Sequence, residues 1–267
     1  MRSQIIFYLI TVLLISIPQK VEAYSDKILF ATESWAAATE KDGTGLYWDI
    51  MRAIYEPENI KVTWTIKAYA TAVKLVKRKK ADAVIGVYKN EVKGVVYPRN
   101  HFAIDMVNAV SDKRKKIDWR GEQSLAGMRI GWIKGYSYDN YIGVSIMKKE
   151  IYDRKTALRV LHRGRIDFYL DAAADLKDYI KTHPAAKEKF DLWVLKTLKL
   201  YVVFKDDKKG RDLASIFDRR FEVLLKDGTI NSLYRFYINE MQANFSNPFP
   251  STETHPPINL KNNGLSH

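Results

Sequence analysis

From Lys27 onward, short β-rich apolar runs alternate with stretches in which apolar residues recur every three or four positions. That alternation predicts an α/β protein with largely parallel strands. The runs predict strands over 28–31, 62–66, 83–87 and 106–110, with helices over 46–55 and 71–79 between them. In the second helix Ala72, Leu75 and Val76 share one face and Lys74, Lys77 and Arg78 the other, the stripe of a helix lying on a sheet.

The rhythm breaks over 111–123, a highly charged stretch poor in aliphatic residues, and then restarts. This predicts a crossing into a second lobe, with strands over 128–133, 168–170 and 192–195 and helices over 137–147, 156–162 and 174–182. A run over 201–204 opens another βα unit, with helices over 211–226 and 229–239. In the first of these, Leu213, Ile216, Phe217, Phe221, Leu224 and Leu225 recur at helical spacing and define a core face. Beyond Asn244 the chain turns to Asn, Pro, Ser and Thr, with Pro248, Pro250, Pro256 and Pro257, so 245–267 is predicted to be a disordered tail.

The N-terminus changes the picture of where the protein works. Arg2 precedes an apolar run over 5–17, followed by Pro18 and Val21-Glu22-Ala23. The run is shorter than the ~20 residues of a membrane-spanning helix, and small residues at Val21 and Ala23 suit cleavage, so 1–23 reads as a signal peptide and Tyr24 as the mature start. Cysteine is absent, which removes disulfides, thiolate metal sites, a cysteine nucleophile and a lipidated anchor. A freely diffusing exported protein is expected in a Gram-negative periplasm, as a monomer. The formal charge of +13 comes from lysines interspersed with acids, a solvated basic surface rather than a nucleic-acid footprint.

Enzyme signals are absent. There is no Gly-x-Ser-x-Gly elbow and no Gly-x-x-x-x-Gly-Lys phosphate loop. The five histidines, His101, His162, His183, His255 and His267, lack metal-ligand spacing. No metal, cofactor or catalytic residue is therefore assigned.

Several short motifs then occur in a telling order. They are Ala31-Thr32-Glu33, Gly45-Leu46-Tyr47-Trp48-Asp49-Ile50, Ala81-Asp82-Ala83-Val84-Ile85-Gly86 and Leu125-Ala126-Gly127-Met128-Arg129-Ile130-Gly131. Lys134-Gly135-Tyr136-Ser137, Gly164-Arg165-Ile166-Asp167 and Asp227-Gly228-Thr229-Ile230 complete the series. Across about 27–240 the chain resembles the periplasmic solute-binding proteins of polar-amino-acid ABC importers, the bacterial extracellular solute-binding family 3. The resemblance implies a two-lobed periplasmic-binding (Venus flytrap) fold of type II, each lobe a mainly parallel sheet flanked by helices. It places lobe 1 at 24–110 plus 199–244, lobe 2 at 111–198, and hinges near 110–111 and 198–201. It implies closure of the lobes around a small polar, amino-acid-like solute delivered to an importer permease. A stand-alone accessory or signalling binder is the alternative. A dehydratase-like periplasmic enzyme, using Asp171 or Glu91 as its acid or base, is the rival from another class.

Gly135, Tyr136 and Ser137 lie where a strand is predicted to enter a helix, a place whose free N–H groups suit a carboxylate. Gly135 and Ser137 read equally as a turn and a helix cap. Asp171 follows a strand near the position where relatives pair an acid with the ligand's amino group, although three residues rather than the usual four separate it from Asp167. The resemblance departs most in lobe 1, where relatives carry Thr-Pro-Glu-Arg and this chain reads Tyr88-Lys89-Asn90-Glu91-Val92-Lys93. Lys93, or else Arg99, is left to replace the lost arginine, and lysine only as a point charge. Trp35 and Tyr88 lie at or just past strand C-terminal ends, where open α/β sheets bind ligands, and read as stacking walls or as core.

Overall fold

The computed structural model describes residues 27–241 together with Ala243, Pro248 and Phe249. The expected signal peptide lies outside the described residues, as does most of the expected tail. Phe249 itself packs on Phe221 and His101, with ring centroids 5.5 and 5.1 Å apart.

The first half runs β1 (Lys27–Thr32), α1 (Leu46–Tyr55), β2 (Lys61–Ile66), α2 (Tyr69–Lys77), β3 (Ala83–Tyr88), β4 (Val95–Val96) and β5 (Ala103–Asp112). Then follow β6 (Arg129–Ile133), β7 (Met147–Ile151), α3 (Arg154–His162), β8 (Phe168–Ala172), α4 (Ala173–Thr182) and α5 (Ala185–Lys189). The chain closes with β9 (Phe190–Lys205), α6 (Lys208–Lys226) and α7 (Thr229–Arg235), which continues as a π-helical turn, Phe236–Glu240.

The strands lie in the order β2-β1-β3-β9-β5-β8-β6-β7, with β4 on β9. Parallel triplets β2-β1-β3 and β8-β6-β7 form the sheets of the two lobes. The antiparallel strands β5 and β9 join them. Their ladder runs from Ala103↔Leu200 to Asp112↔Phe190, with a register shift between Val107 and Asn108. The far end of β9 pairs with β3, from Ala83↔Phe204 to Tyr88↔Leu200, while β5 pairs with β8 over 107–110. Each long strand therefore belongs to both lobes.

The helices cover these sheets as their patterns require. In α1 the residues Leu46, Trp48, Ile50, Met51 and Ile54 are fully buried, and in α6 Leu213, Phe217 and Phe221 face the same core. Ile216 and Leu225 flank that stripe half-buried. A lobe-2 core gathers Val110, Ile151, Leu158, Leu161, Ile166 and Leu176. Two of the motif aspartates serve the scaffold. Asp82 accepts from the Leu29 N–H and pairs with Lys205 and Lys209 at 3.0 and 2.8 Å. Asp167 accepts from the Arg129 N–H and pairs with Arg129 and Lys115 at 2.9 and 2.6 Å. Each thus ties the start of one strand to its neighbour, in one lobe and then the other.

Two sequence expectations change. The helix expected over 137–147 is a single 3-10 turn, Tyr138–Tyr141, followed by irregular chain and then β7. Gly143 interrupts its apolar spacing, and Gly is a poor helix interior residue. The runs at 192–195 and 201–204 are two ends of one strand, β9, whose middle over 194–199 holds only half-buried and exposed residues as it crosses between lobes. β7, Met-Lys-Lys-Glu-Ile at the sheet edge, is exposed at four of its five positions and carries no apolar alternation to read.

Candidate functional site

The C-terminal ends of β1, β3, β6 and β8 deliver their following residues to the gap between the lobes, the place where open α/β sheets bind ligands. A cavity of about 170 Å³ lies there, walled by Trp35, Tyr69, Tyr88 and Glu91 of one lobe and Tyr136 and Asp175 of the other, with Asp105 of β5.

The walls touch across the gap. Trp35 Nε1 donates to the Tyr136 hydroxyl at 3.4 Å, and the Tyr136 ring meets Tyr69 edge-on at 5.5 Å. Tyr88 packs on Tyr138 and Tyr141, with centroids 5.9 and 5.5 Å apart, and the Tyr141 hydroxyl donates to the Lys89 carbonyl at 2.9 Å. Trp35 is seated by Gly86, whose φ of +84° and missing Cβ leave room for the indole; a Cβ there would lie 2.6 Å from Trp35 Cη2. Gly135, at φ +95°, brings lobe 2 against Ala70 in the same manner.

Carboxyl groups dominate the electrostatics. Glu91 accepts from the Tyr69 hydroxyl and the Tyr88 N–H, both at 2.9 Å, yet burial pushes its pKa up to about 7. Burial likewise raises Asp105 to about 6, even though the Tyr88 hydroxyl donates to it at 2.6 Å. Behind Tyr136, Glu33 is raised by burial, and its Oε2 has no hydrogen-bond partner. Burial pushes Asp175 well up, despite an ion pair with Arg154 at 2.9 Å, because Asp171, Asp105 and Glu33 add like charge. Burial works against the Arg154 charge, but Asp171 and Asp175 hold it firmly protonated.

The expected site residues divide into two groups. Trp35, Tyr88 and Tyr136 line the cavity. Gly135 and Ser137 lie beside it, and their expected helix dipole is absent because only a 3-10 turn follows. The Ser137 N–H is directed at Glu91, a carboxylate of the chain itself, and the Gly135 N–H donates to Glu150 at 3.1 Å. Asp171 is fully buried behind the wall, bonded to Arg154, the Tyr169 hydroxyl at 2.5 Å and the Ala172 N–H at 2.9 Å. Lys93 is exposed and does not line the cavity. Arg99 pairs with Asp218 and Glu222 of α6 at 3.5 and 3.1 Å.

Sequence reasoning passed over Tyr69, Asp105, Arg154 and Asp175. Two of these had a signal. Asp105 is a carboxylate set among Ala103, Ile104, Met106 and Val107 in a strand, and Asp175 falls in the first turn after a strand end. Arg154 had none, since it stands in one of many basic stretches.

No protein-family model and no curated protein matches this chain. Solved structures match it over most of its length. A variant of ArgBP from T. maritima is 15% identical, covering 80% of this chain and 95% of its own, with a TM-score of 0.63. A substrate-binding protein of an ABC uptake transporter from Streptococcus pneumoniae, with bound histidine, is 17% identical over 82% and 94%, with a TM-score of 0.61. A histidine kinase sensor domain similar to periplasmic binding proteins is 15% identical over 81% and 97%, with a TM-score of 0.67. The fold is the two-lobed periplasmic-binding fold expected from the motifs. Among the described residues no helix is long and apolar enough to cross a membrane.

Proposed function

We propose that this protein is a non-enzymatic solute-binding protein of the family-3 type, which encloses a small polar solute between its lobes and passes it to an ABC importer permease. The observation that carries this reading is the cavity itself, walled from both lobes by Trp35, Tyr88, Tyr136 and Asp175. Such a cavity exists only when the lobes meet, so a solute that fills it favours the closed arrangement by the difference in its affinity for the two. The ladder of β5 and β9, with its register shift at Val107/Asn108, is the hinge of this reading. Export as a free monomer into the periplasm belongs to the same proposal, on the signal-peptide pattern over 1–23. The likeness to a histidine kinase sensor domain supports a second reading, in which the bound solute reports to a signalling partner.

The test is a thermal-shift screen of small polar solutes, followed by small-angle scattering with and without the solute found. A bound solute at a hundredfold excess over its Kd raises stability by about 2.7 kcal/mol and should shrink the radius of gyration. A solute that is consumed, or one that binds with no change in dimensions, contradicts this function.

A further inference from the structure

We infer that the cleft takes a small organic amine that carries no carboxylate group, an inference that rests on the proposed binding role. The cavity interior presents Glu91, Asp105 and Asp175 and no basic side chain among the described residues; Lys181, the one basic lining residue, stands exposed at the rim beside Asp178. Arg154 gives no purchase to a ligand carboxylate, because Asp171 and Asp175 already occupy its guanidinium. The Ser137 N–H, the other candidate anion donor, faces Glu91. A carboxylate entering this cavity would meet three carboxyl groups and no free basic side chain, with only the backbone N–H groups at the start of α4 to receive it, and burying a charge without a counter-charge is costly.

An amine meets the opposite situation. Burial is the main reason that Glu91 and Asp105 resist ionisation, joined at Asp105 by the like charge of Asp171, and an ammonium or guanidinium group would supply the missing counter-charge. The rings of Trp35, Tyr69, Tyr88 and Tyr136 wall the same space, and aromatic faces attract a desolvated cation. Size sets a further limit. A cavity of about 150 Å³ holds a benzene molecule, so 170 Å³ fits a solute of roughly six to nine heavy atoms.

The experiment is titration calorimetry of the full chain with two pairs of probes that differ only by the α-carboxylate: 1,4-diaminobutane against ornithine, and agmatine against arginine. The expected result is that at least one amine binds, roughly tenfold or more tighter than its amino-acid counterpart. Equal or tighter binding of the amino acid overturns the inference. So does binding of a neutral or anionic solute from the wider screen when neither amine binds, although the binding role then stands. Silence of every solute on a cooperatively melting protein removes the binding role as well. Glu91→Gln and Asp105→Asn, near-isosteric changes, are expected to weaken amine binding by roughly tenfold or more in at least one case. Unchanged affinity in both overturns the inference.

Discussion

Arg154 and Asp171 grip each other behind the cleft wall, Nη2 donating to Oδ1 at 3.2 Å and Nε to Oδ2, with the aspartate fully buried. The family resemblance assigns Asp171 to the ligand, but this geometry assigns it to Arg154. Arg154 in turn spans from α3 to Asp175 on α4, so the pair fixes a cavity carboxylate without touching the cavity. Removing one member strands the other.

Asp171→Ala should therefore act on folding before it acts on binding. Breaking a buried ion pair costs about 3–5 kcal/mol, far more than the near-zero value of an exposed pair. Urea denaturation should show a loss of that order, with Arg154→Met close behind. A stability within error of the wild type, combined with lost ligand affinity, would return Asp171 to the binding surface.

The chemistry of this site was less legible in the sequence than its scaffold. The α1 boundaries, 46–55, follow directly from an apolar stripe that starts and stops cleanly. The sequence pattern splits β9 in two because the middle of the strand crosses between lobes, where neither face is continuously buried. The cavity carboxyls come from positions 91, 105 and 175, each one of many acids in the chain, and only folding brings them to one space. Trp35 and Tyr88 were visible because strand ends point at the cleft whatever the ligand is. The helix expected after Gly135 led toward a carboxylate ligand. A 3-10 turn stands in place of that helix and aims no helix dipole at the cleft.

Glu91 gives the unliganded protein a particular pH dependence. Its pKa rises from 4.5 in the ordinary state to about 7 in the folded protein, through burial, with the Tyr69 hydroxyl and the Tyr88 and Ser137 N–H groups only partly opposing. The unfolded chain thus ionises first. The stability that the protonated group confers is complete below about pH 4.5 and is lost as pH climbs through about 7. Glu91→Gln removes this dependence, so between about pH 5 and pH 8 the variant should gain on the wild type by on the order of 3 kcal/mol. Asp105, raised to about 6, continues to weaken both proteins over the same range. Parallel stability curves for the two proteins would show that Glu91 is ordinary.

Gly86 is the seat of Trp35, and its conformation leaves little freedom to substitute. Gly86→Ala places a Cβ 2.6 Å from the indole and imposes a side chain at φ +84°, a conformation that costs a non-glycine residue about 1–3 kcal/mol. The expected result is a lower melting temperature together with weaker solute binding, as Trp35 is driven into the cavity. A melting temperature lowered with affinity intact would confine the strain to β3.

Tyr141 tests closure apart from chemistry, because it does not line the cavity. Its hydroxyl donates to the Lys89 carbonyl at 2.9 Å from the opposite lobe, while its ring rests on Tyr88. Tyr141→Phe keeps the ring and deletes a bond that exists only when the lobes meet. Loss of an ordinary hydrogen bond of about 0.5–1.5 kcal/mol shifts the open–closed equilibrium by up to roughly tenfold. The open state exposes the Lys89 carbonyl to water, so the free protein should lose little stability while the solute dissociates faster. Stopped-flow measurement should thus find a raised dissociation rate and a nearly unchanged association rate. If both rates match the wild type, this contact does not hold the lobes together, and the weight of closure shifts to the Trp35–Tyr136 contact and the tyrosine cluster around Tyr88.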